Sequence, residues 1–261
     1  MNSLERSLVE KAGYDNGWER SSSDSDGSVR LASSRHGYSV SVRQGGHDNE
    51  WVVRFTEGFP MEELKRGFPS LLFTETEVLP WDYQVLCALL RRAAEIGVSV
   101  PDAPLAAFRK ELDTAMATQG ILEGTEAERL VKQRIGQGHY RNALLSYWEG
   151  ACSLTGVDIP ELLRASHAKP WAECASDSER LDVYNGFLLS ANIDALFDTG
   201  LISFTDDGSI LISHQIHQNK YALIGLHSGM ILRWLDSRHL VYLRWHREHL
   251  FARNRGSGER T

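Results

Sequence analysis

Between Arg164 and Ser213 the chain reads as a short strand, a loop, a second short strand, a short helix and a hairpin. Chemically distinctive side chains sit at fixed places in that order. His167 lies at the end of the first predicted strand, around 164–168, just before Lys169-Pro170-Trp171. An acid-rich loop follows over 173–182. Eighteen residues after His167, Asn185-Gly186 opens the second strand, predicted over 186–190. Asp194 comes nine residues after Asn185 on a predicted helix over 191–198, and Asp198 follows four residues later on the same helix face. The hairpin has strands LISF and SILIS about a TDDG turn, with Asp207-Gly208 as the turn signal. A strand–strand–helix unit is about the smallest scaffold that brings an imidazole, an amide and one or two carboxylates to a single point.

That residue set suits hydrolysis of a phosphodiester, which needs a base to deprotonate water and a cation to stabilise the leaving oxygen. A neutral imidazole serves as base near neutral pH. Hard carboxylate oxygens suit Mg²⁺ or Mn²⁺, whereas one His with Asp is a poor donor set for zinc. Among the other histidines, His214 and His217 stand three apart after the hairpin, a spacing that admits zinc but reads better as ordinary surface. Trp171, Phe187 and Phe197 read as core.

The sequence resembles the HNH endonuclease (ββα-metal) family, in its bacterial branch. The matching blocks are Ala165-Ser166-His167-Ala168-Lys169-Pro170-Trp171, then Asn185-Gly186-Phe187-Leu188-Leu189, then Asp194-Ala195-Leu196-Phe197-Asp198-Thr199-Gly200-Leu201-Ile202. Upstream, Gln133-Arg134, Gln137, Tyr140-Arg141 and Cys152-Ser153-Leu154-Thr155-Gly156 also look like that branch. The resemblance covers roughly 125–215. It implies that His167 is the general base and that Asn185 orders the loop and orients the base. It places Asp194 where the motif's last His usually stands, as a metal ligand. Asp198 becomes a second candidate ligand. Ser166 occupies a position that is often an acidic ligand in related enzymes. Lys169, Arg141 and Arg180 become candidates for phosphate contact. The implied partner is DNA, the implied cofactor a divalent cation, Mg²⁺ or Mn²⁺, and the implied role that of a restriction or defence nuclease. Two-strand cutting by one active site per chain points to a homodimer. An alternative is a DNA-binding or regulatory protein that keeps the fold and cleaves little.

The rest of the 261 residues frames this module. The expected fold class is α+β, with an accessory, DNA-recognition domain over 1–120 and the nuclease domain over 121–261. In the first part, VRLASS, YSVSVRQ and EWVVRF alternate like strands. RSSSDSDGSV reads as a loop and GGHDN as a hairpin turn. A helix is predicted over 79–96 with Val85, Leu86, Leu89, Leu90 and Ala93 on one face, then a proline-containing connection over 97–106. Tyr14, Trp18, Tyr38 and Trp51 are candidates for stacking a flipped base, though such aromatics more often fill a core. In the second part, Thr125 with Glu128 forms a capping-box start. A helix runs from there to about Ile135, Gly136 and Gly138 break it, and a second helix spans HYRNALLSYW.

Net charge is −7, unlike a typical nucleic-acid binder, but seven arginines face three acids between Arg233 and Thr261, a tail suited to phosphate. The three cysteines form no C-x-x-C pair, which excludes a four-thiolate zinc site. No apolar run is long enough to span a membrane and the first ten residues lack a signal core, so the expected setting is cytoplasmic.

Overall fold

A computed structural model describes residues 1–46, 50–100, 102–119 and 124–254. Its contacts divide the chain into two compact units, Met1–Ser99 and Val100–Thr261, each a mixture of helices and strands.

The first unit is α1 (Ser3–Asp15), β1 (Arg20–Ser23), β2 (Val29–Ala32), β3 (Ser39–Gln44), β4 (Trp51–Phe55), α2 (Met61–Gly67), β5 (Leu72–Phe73), β6 (Glu77–Leu79) and α3 (Tyr83–Ser99). Its six strands form one antiparallel sheet in the order β1-β2-β3-β4-β6-β5. The alternation in β2 and β3 buries Val29, Leu31, Val40 and Val42. Leu86, Leu89, Leu90 and Ala93 of α3 are fully buried, as the helical period requires. The expected 20–29 loop is partly wrong: Arg20–Ser23 is an edge strand. All four of its residues are exposed, so no apolar alternation marks it. Residues 47–49 of the expected GGHDN turn lie outside the described residues. The aromatic stacking expectation is corrected too. Trp18 and Trp51 are core residues, 1% and 5% exposed, and Tyr38 packs edge-on against Phe59 with ring centres 5.2 Å apart. Of the four, Tyr14 alone stands out into solvent.

The second unit opens with α4 (Asp102–Gln119) and α5 (Glu126–Tyr147), which pack together. The seam between units therefore falls at Ser99–Val100, some twenty residues before the expected 120, and most of the expected 97–106 connection is helix. α5 is one continuous helix through Gly136 and Gly138, so these glycines do not break it. A Cβ at Gly136 would overlap the Trp171 ring, which makes it a close-approach glycine instead. Thr125 Oγ1 accepts the Glu128 N–H at 3.1 Å, while the Glu128 carboxylate takes the N–H of Gly124 at 2.6 Å. Then come β7 (Leu163–His167), α6 (Asp177–Arg180), β8 (Gly186–Ser190), α7 (Ala191–Asp198), β9 (Ile202–Phe204), β10 (Ile210–Ile212) and α8 (Leu240–His249). β7 pairs antiparallel with β8, placing His167 opposite Gly186 and Ser166 opposite Phe187. β9 and β10 form the expected hairpin. One core runs through this unit, with Tyr147, Trp148, Phe187, Phe197 and Phe204 fully buried. Among the described residues no helix is long and apolar enough to cross a membrane.

Candidate active site

The β7–β8 pair carries the site on its two faces, because successive residues of a strand point to opposite sides. Ser166 faces α7: its Oγ donates to Asp198 Oδ1 at 2.9 Å and lies near enough to Asp194 to lower the pKa of that carboxyl. His167, the next residue, faces α5: its ring stacks on Tyr140, centres 3.8 Å apart and planes 15° apart. Trp171 meets the imidazole edge-on at 6.0 Å.

The imidazole is neutral and in one tautomer. Its Nε2 lies 2.9 Å from the carbonyl of Arg180. A carbonyl only accepts, so Nε2 carries the proton and Nδ1 keeps its lone pair. Burial pushes the pKa down to about 4, against a small raising effect of that hydrogen bond. Nδ1 has no partner among the described residues and is not sealed from solvent. The lone pair of Nδ1 is thus the acceptor that the ring leaves unused.

Asn185 is fully buried and ties both ends of the 169–180 loop. Its Oδ1 accepts the Lys169 N–H at 2.8 Å. Its Nδ2 donates to the carbonyls of Glu179 at 3.0 Å and Lys169 at 3.2 Å. The carbonyl that holds His167 belongs to the residue after Glu179, so Asn185 acts on the base through the loop.

On the other face, Asp194 and Asp198 sit one turn apart. Burial raises the pKa of Asp194, with Ser166 and the Arg164 charge opposing. Partial burial and then the charge of Asp194 raise that of Asp198, whose outer side stays in water. Neither carboxylate has an ion-pair partner among the described residues. Two carboxylates without a paired cation, sharing a hydroxyl, form a hard oxygen set that suits Mg²⁺ or Mn²⁺ completed by water. Nevertheless, among the described residues no group of three His, Cys, Asp or Glu is arranged to hold a metal. That includes His214 and His217. The expected convergence of His167 and Asp194 on one point is thus only half realised. Ser166, Asp194 and Asp198 come together, while the imidazole turns to the opposite side of β7.

The three candidate phosphate contacts are engaged within the chain. Lys169 Nζ pairs with Glu179 at 2.7 Å. Arg141 donates to the carbonyls of Leu163 at 2.8 Å and Pro160 at 3.2 Å, anchoring the start of β7. Arg180 donates to the carbonyls of Trp171 and Cys174 and to Asp177. In the expected basic tail, Arg233, Arg238 and Arg247 are likewise bound internally. Arg244 and Arg253 are exposed, and Arg255 and Arg260 lie outside the described residues. Sequence reasoning missed the work of Tyr140 and Gly136. Their four-residue spacing on one helix face was the available signal.

Residues 152–205, which hold β7, the Asn185 loop, β8, α7 and β9, match the family model for HNH endonuclease. No curated protein matches the chain.

Proposed function

From its HNH endonuclease segment we propose that this protein hydrolyses DNA phosphodiester bonds with the help of a divalent cation. The observation that carries the reading is the open Nδ1 of a neutral, tautomerically fixed His167. His167 Nδ1 takes a proton from water, and the water oxygen attacks phosphorus. The bond to the 3′ oxygen breaks, leaving 5′-phosphate and 3′-hydroxyl ends. The low pKa of the buried imidazolium then returns its proton to solvent. Asp194 and Asp198, with Ser166 between them, are the residues that would hold the cation, which supplies stabilisation of the charge that develops on the phosphate. Asn185 keeps the loop, and through it the base, in place. We further propose a restriction or defence role for the nuclease, a DNA-recognition role for the first unit, and action as a homodimer in the cytoplasm.

The test is cleavage of plain, methylated and otherwise modified duplex DNA in Mg²⁺, Mn²⁺ or EDTA. Cleavage should need the cation and should fall about 10³-fold in His167→Ala; wild-type activity surviving both removals refutes the mechanism. The separation of His167 from the carboxylates favours one second reading, a DNA-binding protein that cuts little. Tight binding with no cutting in Mn²⁺ would select it.

A further inference from the structure

We propose that Tyr140 and Trp171 form an aromatic clamp that fixes the plane and tautomer of His167, which makes Tyr140 a positioning residue for hydrolysis. The proposal rests on the assignment of His167 as the base. A histidine's second side-chain torsion is soft and roughly two-fold. With a single hydrogen bond at Nε2, the ring could pivot about that bond, or turn over so that Cε1 stands where Nε2 was, which breaks the bond and releases the tautomer. The stacked Tyr140 face and the Trp171 edge close both routes.

The clamp is referenced to the strands that carry the base. Tyr140 is 1% exposed, and its hydroxyl donates to the carbonyl of Asn185 at 2.9 Å, with the Ser166 carbonyl at 3.4 Å. These carbonyls flank the His167–Gly186 pair. A Cβ at Gly186 would overlap both the Tyr140 hydroxyl and the Ser166 carbonyl, so glycine there is what admits the phenol. One turn before Tyr140, Gly136 does the same for Trp171. Glycine is disfavoured inside a helix, and α5 holds it where the clamp needs it. A closed circuit completes the arrangement. Arg180 Nε donates to the Trp171 carbonyl at 3.1 Å, while the Arg180 carbonyl receives His167 Nε2.

The experiment records the ring nitrogens of ¹⁵N-histidine-labelled, metal-free protein at neutral pH, beside steady-state cleavage. Signals of His167 are identified by their loss in His167→Ala. Wild type should show one tautomer, protonated at Nε2. Tyr140→Phe keeps the stack, so it should retain that tautomer and lose no more than about 5-fold in kcat. Tyr140→Leu should show both tautomers, with kcat down about 100-fold and KM within about 2-fold. A folded Tyr140→Leu with one tautomer and wild-type kcat overturns the proposal, as does a loss that falls in KM alone. If Tyr140→Leu does not fold, Gly136→Ala and Trp171→Leu decide it by the same two readouts. If wild type cuts no DNA, the functional reading fails, and the tautomer readout alone decides the clamp.

Discussion

Two histidines of the second unit stand in nearly the same surroundings. His246 of α8 stacks on Phe197 with ring centres 3.9 Å apart and planes 3° apart; His167 stacks on Tyr140 at 3.8 Å and 15°. Each meets a backbone carbonyl through Nε2 at 2.9 Å, that of Phe197 and that of Arg180. Burial pushes both pKa values down to about 4. They part at Nδ1. His246 Nδ1 receives the Ser203 hydroxyl at 3.0 Å inside a sealed core, whereas His167 Nδ1 has no partner among the described residues. A stacked, neutral, depressed imidazole is therefore a way to build a core as much as a way to build a base. What separates the two uses is one open lone pair.

The largest test of that comparison exchanges the two losses. Replacing His167 by Ala should cut cleavage about 10³-fold, within the range for a lost general base, and cost less stability than His246→Ala. His246→Ala should cost about 3 kcal/mol, as for a large buried side chain, and leave kcat of the folded fraction near wild type. Urea unfolding and single-turnover cleavage on the same preparations measure both. A folded His246→Ala that loses activity as fully as His167→Ala breaks the distinction.

The second test concerns the other face of β7. His167 is held by its stacking partner and its carbonyl, while Asp194 and Asp198 share a hydroxyl and have no ion-pair partner among the described residues. At a Mn²⁺ concentration 100 times Kd, binding to the folded state adds about 2.7 kcal/mol. Thermal unfolding of wild type should therefore shift up with Mn²⁺. Asp194→Asn and Asp198→Asn should lose most of that shift, and each should raise metal-free stability by relieving repulsion between the acids. An undiminished Mn²⁺ shift in the Asp194→Asn, Asp198→Asn double variant places the cation elsewhere.

How far the sequence exposes this arrangement depends on which residues set it. β7, β8, α7 and the β9–β10 hairpin are legible because their apolar runs, the Asn185-Gly186 pair and the Asp207-Gly208 turn are local signals. The meeting of Ser166 with Asp194 and Asp198 follows from helix spacing and a motif. Gly136 is misread from local propensity because the ring it accommodates, Trp171, is thirty-five residues away. α4 is missed because two prolines in the sequence, Pro101 and Pro104, mask its start, although Pro104 falls in the first helical turn, where proline is tolerated. Arg141, Arg180 and Lys169 resemble phosphate ligands by type alone. Only the fold shows the carbonyls and the Glu179 carboxylate that engage them. The face on which His167 lies is set by strand alternation, which separates it from Ser166 however close the two stand in the motif.

The smallest expected effect is a pH dependence, and it divides the two faces by sign. A buried neutral imidazole with a folded pKa of about 4 and an unfolded value of about 6.5 binds fewer protons folded than unfolded. Its stabilisation is whole above pH 6.5 and is lost as pH falls toward 4. For His246, sealed from solvent, the loss by pH 5 is about 2 kcal/mol; His167 adds a smaller share in the same direction because part of its ring reaches water. The carboxylates act oppositely. Their folded pKa values lie above the ordinary one, so protonating them as pH falls favours the folded state and offsets part of the histidine loss. Urea midpoints between pH 7 and 5 should therefore fall less steeply in His246→Leu than in wild type, and more steeply in Asp194→Asn, where the offset is removed. Parallel slopes in all three proteins would mean that neither the sealed imidazole nor the paired acids carry the acid response, and the likeness between His246 and His167 would then be one of shape alone.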